Sequence, residues 1–215
     1  MTFNTAPISR SLFLFSIFYG GMVCIAGVLG AKQVALGPLA VEAGIFPFLL
    51  LVITSSAIAE LYGRETADKL VRFGFIPLVT SILLIRIVLA LPVDEGMYPP
   101  AIEAFPIILG QSGRMMFAGL IAYGLSQTLN VYVFARLARP DGGLLWLRAG
   151  IASVLSQILD TVLFISISFY GEREIADLML GQMTAKIVLS IIMVPLLVTW
   201  MVRLGHKLDR DGQTA

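Results

Sequence analysis

The segment LWLRAGIASVLSQILDTVLFISISF, residues 145–169, holds only two charged side chains, Arg148 and Asp160. About 20 apolar residues in a helix cross the ~30 Å hydrocarbon core of a bilayer, so this stretch is long enough to span it. Five further segments of the same kind follow from the sequence: Ser11–Ala35, Leu39–Leu61, Ala67–Leu91, Met115–Leu137 and Leu178–Leu204. The connections between them are mostly short. The expected fold is an all-α membrane protein, one bundle of six transmembrane helices over residues 11–204, with an N-terminal segment 1–10 and a tail 205–215. The first segment follows Arg10, is too long for a signal-peptide core and lacks a small-x-small cleavage site, so it reads as a retained span.

Composition agrees with that reading. The 215 residues include 15 Lys+Arg and 14 Asp+Glu, or 13% charged, about half the ~25% usual in a soluble domain. Hydrophobic residues reach 58% and mean hydropathy is +0.90. So few charges would leave the surface of a water-soluble monomer largely apolar, which excludes that class. A net charge of +1 removes any global electrostatic case for nucleic acid as a partner. Cys24 is the only Cys and His206 the only His, so no intrachain disulfide and no Cys/His metal cluster can be assembled.

Orientation follows from basic residues near the helix ends. With the N-terminus inside, the inner segments hold Arg10, Arg64, Lys69, Arg72, Arg136, Arg139, Arg148, Arg203, Lys207 and Arg210. The outer segments hold only Lys32, Arg114 and Arg173, together with the acidic residues Asp94, Glu95, Glu103, Glu172, Glu174 and Asp177. The positive-inside rule therefore predicts cytoplasmic N- and C-termini. Pro92 to Arg114, the one long connection, is read as an irregular loop whose prolines forbid a further span. It is either an interfacial connector or an outer lid over a substrate cavity.

Polar residues within the spans carry the functional signal. Leu125-Ser126-Gln127-Thr128-Leu129-Asn130 recurs thirty residues later as Leu155-Ser156-Gln157-Ile158-Leu159-Asp160. Gln and Asn or Asp three residues apart share a helical face, and both motifs fall near mid-membrane, so they can line one polar cavity. The plainer alternative is interhelical hydrogen bonding, which suits the serines best. It suits Asp160 poorly, since a carboxylate in hydrocarbon needs a proton, a cation or a ligand. Lys186 lies at similar depth in the next span, so an Asp160–Lys186 pair is expected, either as a structural bridge or as a gate that substrate competes for. Glu60 closes the second span; its plain reading is an interfacial partner of Arg64, with Tyr62 in the aromatic belt. Cys24 reads as packing, and Gly20, Gly21, Ala26, Gly27, Gly30 and Ala31 as small residues that let the first helix pack closely.

Taken together, Lys32, Val41-Glu42-Ala43-Gly44-Ile45, Glu60-Leu61-Tyr62-Gly63 with Ala67, the paired Ser-Gln-x-x-Asn/Asp motifs, Trp146-Leu147-Arg148 and Lys186 resemble the vitamin-uptake-transporter (VUT, YhhQ-type) family of queuosine-precursor transporters. The resemblance covers Tyr19 to Leu204. It implies a bacterial inner-membrane, multi-pass importer of 7-cyano-7-deazaguanine and 7-aminomethyl-7-deazaguanine that needs no cofactor and no ATP-hydrolysing partner. Two departures stand out: Ser56 and Asn130 occupy positions where the family often has Asp, so no acidic site carries over there.

The residues suit such a small-molecule ligand. A deazaguanine offers an N1–H and exocyclic amine edge to a carboxylate, a carbonyl to an amide donor, and a flat face for stacking. Asp160 or Glu60 can take the first role, Gln127 and Gln157 the second, with Asn130 and Lys186 beside them and Tyr132, Phe134 and Phe164 as candidate stacking surfaces. The lipid bilayer is the other partner, and a homodimer is left open. The alternative function is the substrate-capturing subunit of an energy-coupling-factor-type vitamin importer. A membrane-embedded enzyme is disfavoured, because no metal-ligand cluster and no conventional nucleophile–base pair is present.

Overall fold

The computed structural model describes residues 9–37, 39–138, 143–172 and 174–213. Arg139 and Arg173, which entered the orientation argument, lie outside the described residues, as do residues 1–8 and 214–215. Among the described residues, seven helices and one hairpin follow in chain order: α1 Arg10–Gly30, β1 Gln33–Leu36, β2 Leu39–Glu42, α2 Ile45–Tyr62, α3 Arg64–Ala90, α4 Pro99–Leu109, α5 Gly113–Arg136, α6 Leu145–Phe169 and α7 Ala176–Gln213. All but α4 are long and apolar enough to cross a membrane.

The helices are oriented by which side of each is apolar and by what it meets. Phe13, Ile17, Phe73, Ile76, Leu84, Ile87, Ile191, Leu196 and Trp200 stand exposed on α1, α3 and α7, the surface a bilayer covers. α2 lies at the centre and packs on α1, α3, α5 and α7, burying Leu49, Val52, Ile53, Ala57 and Ile58. Close approach is permitted where a side chain would collide. At Gly74 of α3, a Cβ would meet the hydroxyl of Tyr123 and lie 2.9 Å from the Tyr19 ring. With that space open, Tyr123 donates to the Val71 carbonyl at 3.0 Å and its hydroxyl meets that of Tyr19 at 3.0 Å.

Helix ends follow local chemistry. Ser9 and Ser112 cap α1 and α5, their hydroxyls accepting from the Leu12 and Met115 amides at 3.2 Å. Gly63, at φ 82, turns the chain from α2 into α3, a left-handed conformation that glycine takes without cost. At the end of the bundle that bears both termini, Tyr62 bonds Ser9, Ser11 and Asp209, and the Ser11 amide donates to Asp209 at 3.0 Å. The start of α1, the end of α2 and the end of α7 are thereby tied together. At the opposite end Arg114 donates to the carbonyls of Ile167 and Tyr170 and to Glu172, closing the C-terminus of α6.

Several expectations need correction. Residues 33–42 are not the end of one helix and the start of the next but an antiparallel hairpin, with Gln33 opposite Glu42 and Leu36 opposite Leu39. Gly37 sits at φ 61 in its turn, and Val34 and Val41 suit an extended backbone, so the apolar run is strand rather than helix. The Pro92–Arg114 connection is not wholly irregular, because Pro99 and Pro100 occupy the first turn of α4, where a missing amide hydrogen costs nothing. The last helix does not stop at Leu204; it continues through the tail to Gln213. A Cβ on Gly20, Gly21, Gly27 or Gly30 would meet nothing within 4 Å, whereas one on Gly44 would lie 3.0 Å from the Ala26 carbonyl and 3.2 Å from Gly30 Cα, so the close approach to α1 falls at Ala26 and Gly30.

Candidate functional site

α1, α2, α3, α5, α6 and α7 surround a cleft of about 170 Å³ at the hairpin end, with α4 at its mouth. That is room for roughly six waters or one small planar molecule. Most of the lining is apolar or aromatic, including Phe48, Leu78, Ile82, Leu120, Tyr123 and Phe164. Asp160 and Lys186 border it as an ion pair, Lys186 Nζ donating to Asp160 Oδ2 at 2.8 Å, with both residues less than a tenth exposed. The Lys186 ammonium also lies 5.9 Å from the centre of the Phe48 ring. A pair this buried gains strongly from Coulomb attraction only because both charges have already given up water. An incoming polar ligand can therefore compete for either partner.

Deeper in the bundle the polar side chains form a seam between α2 and α5. Asn130 Nδ2 donates at 3.1 Å to both Ser55 and Ser56, and Ser55 donates to Gln127 Oε1 at 3.3 Å. All four are fully buried. Gln157 of α6 is fully buried too, and neither polar atom of its side-chain amide has a hydrogen-bond partner among the described residues. The same holds for Gln127 Nε2, Asn130 Oδ1, Ser153 Oγ and Ser190 Oγ. Buried polar atoms are normally satisfied, so this cluster of orphans makes the region a candidate contact for a polar guest. The hydroxyls of Ser126 and Ser156 do not bridge helices. They turn back to carbonyls of their own helices, Tyr123 at 3.4 Å and Ser153 at 2.9 Å, acceptors always within reach of a helical serine.

Glu60 lies at the far end of this seam and does not pair with Arg64. Its Oε2 accepts from Arg148 Nη2 at 3.0 Å, while Arg64 pairs with Asp68 at 3.2 Å, one helical turn away. Arg148 is buried beneath α5. It also donates to the Phe134 carbonyl at 3.4 Å, and its guanidinium stacks 4.3 Å from the centre of the Phe134 ring. Guanidinium planes stack and fork in this way where an ammonium would not. Tyr62 is held by Ser9, Ser11 and Asp209 rather than standing in an aromatic belt.

Of the residues picked from sequence, Asp160, Lys186 and Phe164 border the cleft; Gln127, Asn130 and Gln157 are buried within the bundle and do not line it, so of the paired motifs only Asp160 reaches the cleft; Glu60 and Phe134 surround Arg148; Tyr132 is exposed beneath Arg64. Cys24 borders the cleft as well. The sequence names Arg148 only as a flanking charge and within Trp146-Leu147-Arg148, not as the partner of Glu60, and it does not single out Ser55, Ser190, Phe48 or Tyr123. For Arg148 the signal was available, since it lies inside the 145–169 segment itself, three residues past its start.

Among the described residues, six apolar helices enclosing a cleft that ends on a buried charge pair define a multi-pass membrane protein. The chain belongs to the vitamin-uptake-transporter family: the family model described as "Putative vitamin uptake transporter" matches residues 42–200. Among curated proteins, it is 31% identical over 158 residues to the "Probable queuosine precursor transporter" of Bacillus subtilis (strain 168), covering 72% of this chain and 68% of that protein. No solved structure matches.

Proposed function

We propose that the chain imports queuosine precursors, 7-cyano-7-deazaguanine and 7-aminomethyl-7-deazaguanine, across the bacterial inner membrane without an ATP-hydrolysing partner. The observation that carries the reading is the Asp160 carboxylate, paired with Lys186, in a cleft lined mostly by apolar and aromatic side chains. A carboxylate can accept two parallel hydrogen bonds from the N1–H and exocyclic amine of a deazaguanine, and a dry surrounding strengthens both. Phe164 offers a stacking face beside it. Lys186 then pairs with Asp160 between substrates and yields to the base as it arrives. Gln127, Asn130 and Gln157 supply donors and acceptors for the base deeper in the bundle, their orphaned atoms finding partners in it. The relative of Bacillus subtilis, named for transport of such precursors, supports the substrate class. Termini on the cytoplasmic side, from the distribution of Lys and Arg, make the cleft open outward.

The test is expression in bacteria unable to make or import these precursors, with each compound supplied at low concentration and queuosine measured in tRNA. Restored queuosine with either compound is expected. No rescue with either, at confirmed membrane expression, would overturn the assignment, and rescue only with a coexpressed ATPase module would assign the chain as a substrate-capturing subunit instead.

A further inference from the structure

The cleft opens at the hairpin end, but the polar seam does not stop at Asp160. Along α2, Phe48 lies by Lys186, Ser55 and Ser56 bond Asn130, and Glu60 meets Arg148. On α6, Arg148 and Asp160 both lie on the buried side. Twelve residues separate Phe48 from Glu60 and Arg148 from Asp160, roughly 18 Å along either helix at ~1.5 Å per residue. The two ion pairs therefore sit at opposite ends of one polar column, with the unpartnered groups of Gln127 and Asn130 between them.

We propose that the Glu60–Arg148 ion pair is the closed gate of the translocation path at the end that bears the termini, opposite the cleft that opens on Asp160 and Lys186. The proposal rests on the reading of the chain as a solute carrier but not on which solute it carries. Three features distinguish a gate from a strut. The Glu60 side chain is 24% exposed while that of Arg148 is 7% exposed, so the pair stands at the boundary between water and the buried column. It joins α2 to α6, two helices that otherwise touch little, so a small separation of the two opens the column at that point. Both charges regain water when parted, so an ion pair opens at lower cost at a water boundary than well-packed apolar side chains would. Arg148 keeps its Phe134 carbonyl and ring in either state, which makes Glu60 the moving partner.

The experiment reads access rather than uptake, so its outcome is independent of the deazaguanine assignment. In a Cys24→Ala background, Ser56→Cys places a thiol one turn inside Glu60. Its reaction with a membrane-impermeant thiol reagent is followed in right-side-out and inverted vesicles, with a C-terminal tag reporting which face bears the termini. With the pair intact, the thiol should be unreactive from the terminal face. Glu60→Gln and Arg148→Met should each raise its rate there by about tenfold or more, as expected for loss of a charge-assisted hydrogen bond, and should leave the opposite face unchanged. The exchange Glu60→Arg with Arg148→Glu should return the rate toward that of the parent. Unchanged reactivity at the terminal face in Glu60→Gln, which preserves side-chain size, would overturn the gate. An equal rise from both faces would also overturn it, because it would mean loosened packing rather than an opened end.

Discussion

Asp160 of α6 and Lys186 of α7 meet at 2.8 Å inside the membrane-spanning bundle, each less than a tenth exposed, and both border the cleft. Removing one partner of such a pair leaves the other charge buried alone, at a cost of about 3–5 kcal/mol, far more than a surface pair would forfeit. Asp160→Asn should lower apparent affinity for substrate by roughly tenfold to a hundredfold, the value of one charge-assisted hydrogen bond. Uptake should recover partly at high substrate concentration. Asp160→Asn with Lys186→Met should recover thermal stability in detergent but not low-concentration uptake. If the double change restores both, Asp160 is a bridge only.

The charge distribution predicts cytoplasmic termini, which labelling can read directly. In a Cys24→Ala background, Arg203→Cys should react with an impermeant reagent in inverted vesicles and not in intact cells. Asp94→Cys, in the acidic connection at the other end of the bundle, should do the reverse. Labelling of the Arg203 position from outside intact cells would invert the assignment.

Much of this architecture is legible in the sequence, for physical reasons that also explain the gaps. Six spans stand out because length and hydropathy are the two quantities a bilayer selects, and Leu145–Phe169 is bounded by the same residues in both readings. The Asp160–Lys186 contact follows from depth alone, since two opposite charges at one level in hydrocarbon have few other partners. The hairpin at 33–42 escapes because its strands are apolar and directly adjoin a span, where a window of hydropathy cannot separate strand from helix. α4 escapes because prolines that end a helix elsewhere are harmless in a first turn. Arg148 escapes because a charge three residues inside a helix looks like a flank, and only the fold reveals that Phe134 and Glu60 enclose it.

Packing between α3 and α5 depends on the missing side chain at Gly74. Gly74→Ala would drive a methyl into the Tyr123 hydroxyl and ring, and should lower stability by about 1–3 kcal/mol, read as a fall in Tm in detergent. Tyr123→Phe removes the atom nearest the new methyl, at the expense of its bond to the Val71 carbonyl, and leaves the Tyr19 ring at 2.9 Å. Gly74→Ala should therefore cost less in the Tyr123→Phe background than in the parent. Strictly additive losses would show that the contact is not what limits this position.

Gln157 separates binding from stability most sharply. Its amide is fully buried and has no hydrogen-bond partner among the described residues, a condition that costs the folded protein about 1–3 kcal/mol relative to a satisfied or apolar group. Replacement by Leu, similar in size and without polar atoms, should therefore raise thermal stability. If the amide serves the transported base, the same change should lower uptake by about tenfold or more, since the base would lose a donor and an acceptor together. Gln127→Leu makes the comparison, because it also removes an acceptor that the Ser55 hydroxyl shares with the Val52 carbonyl, and so should not gain stability to the same extent. Thermal unfolding and precursor uptake, measured on both variants at matched expression, read the two effects separately. A Gln157→Leu protein that is more stable and transports as well as the parent would remove Gln157 from the binding site, and one that is less stable would show that its amide has a partner in the folded bundle.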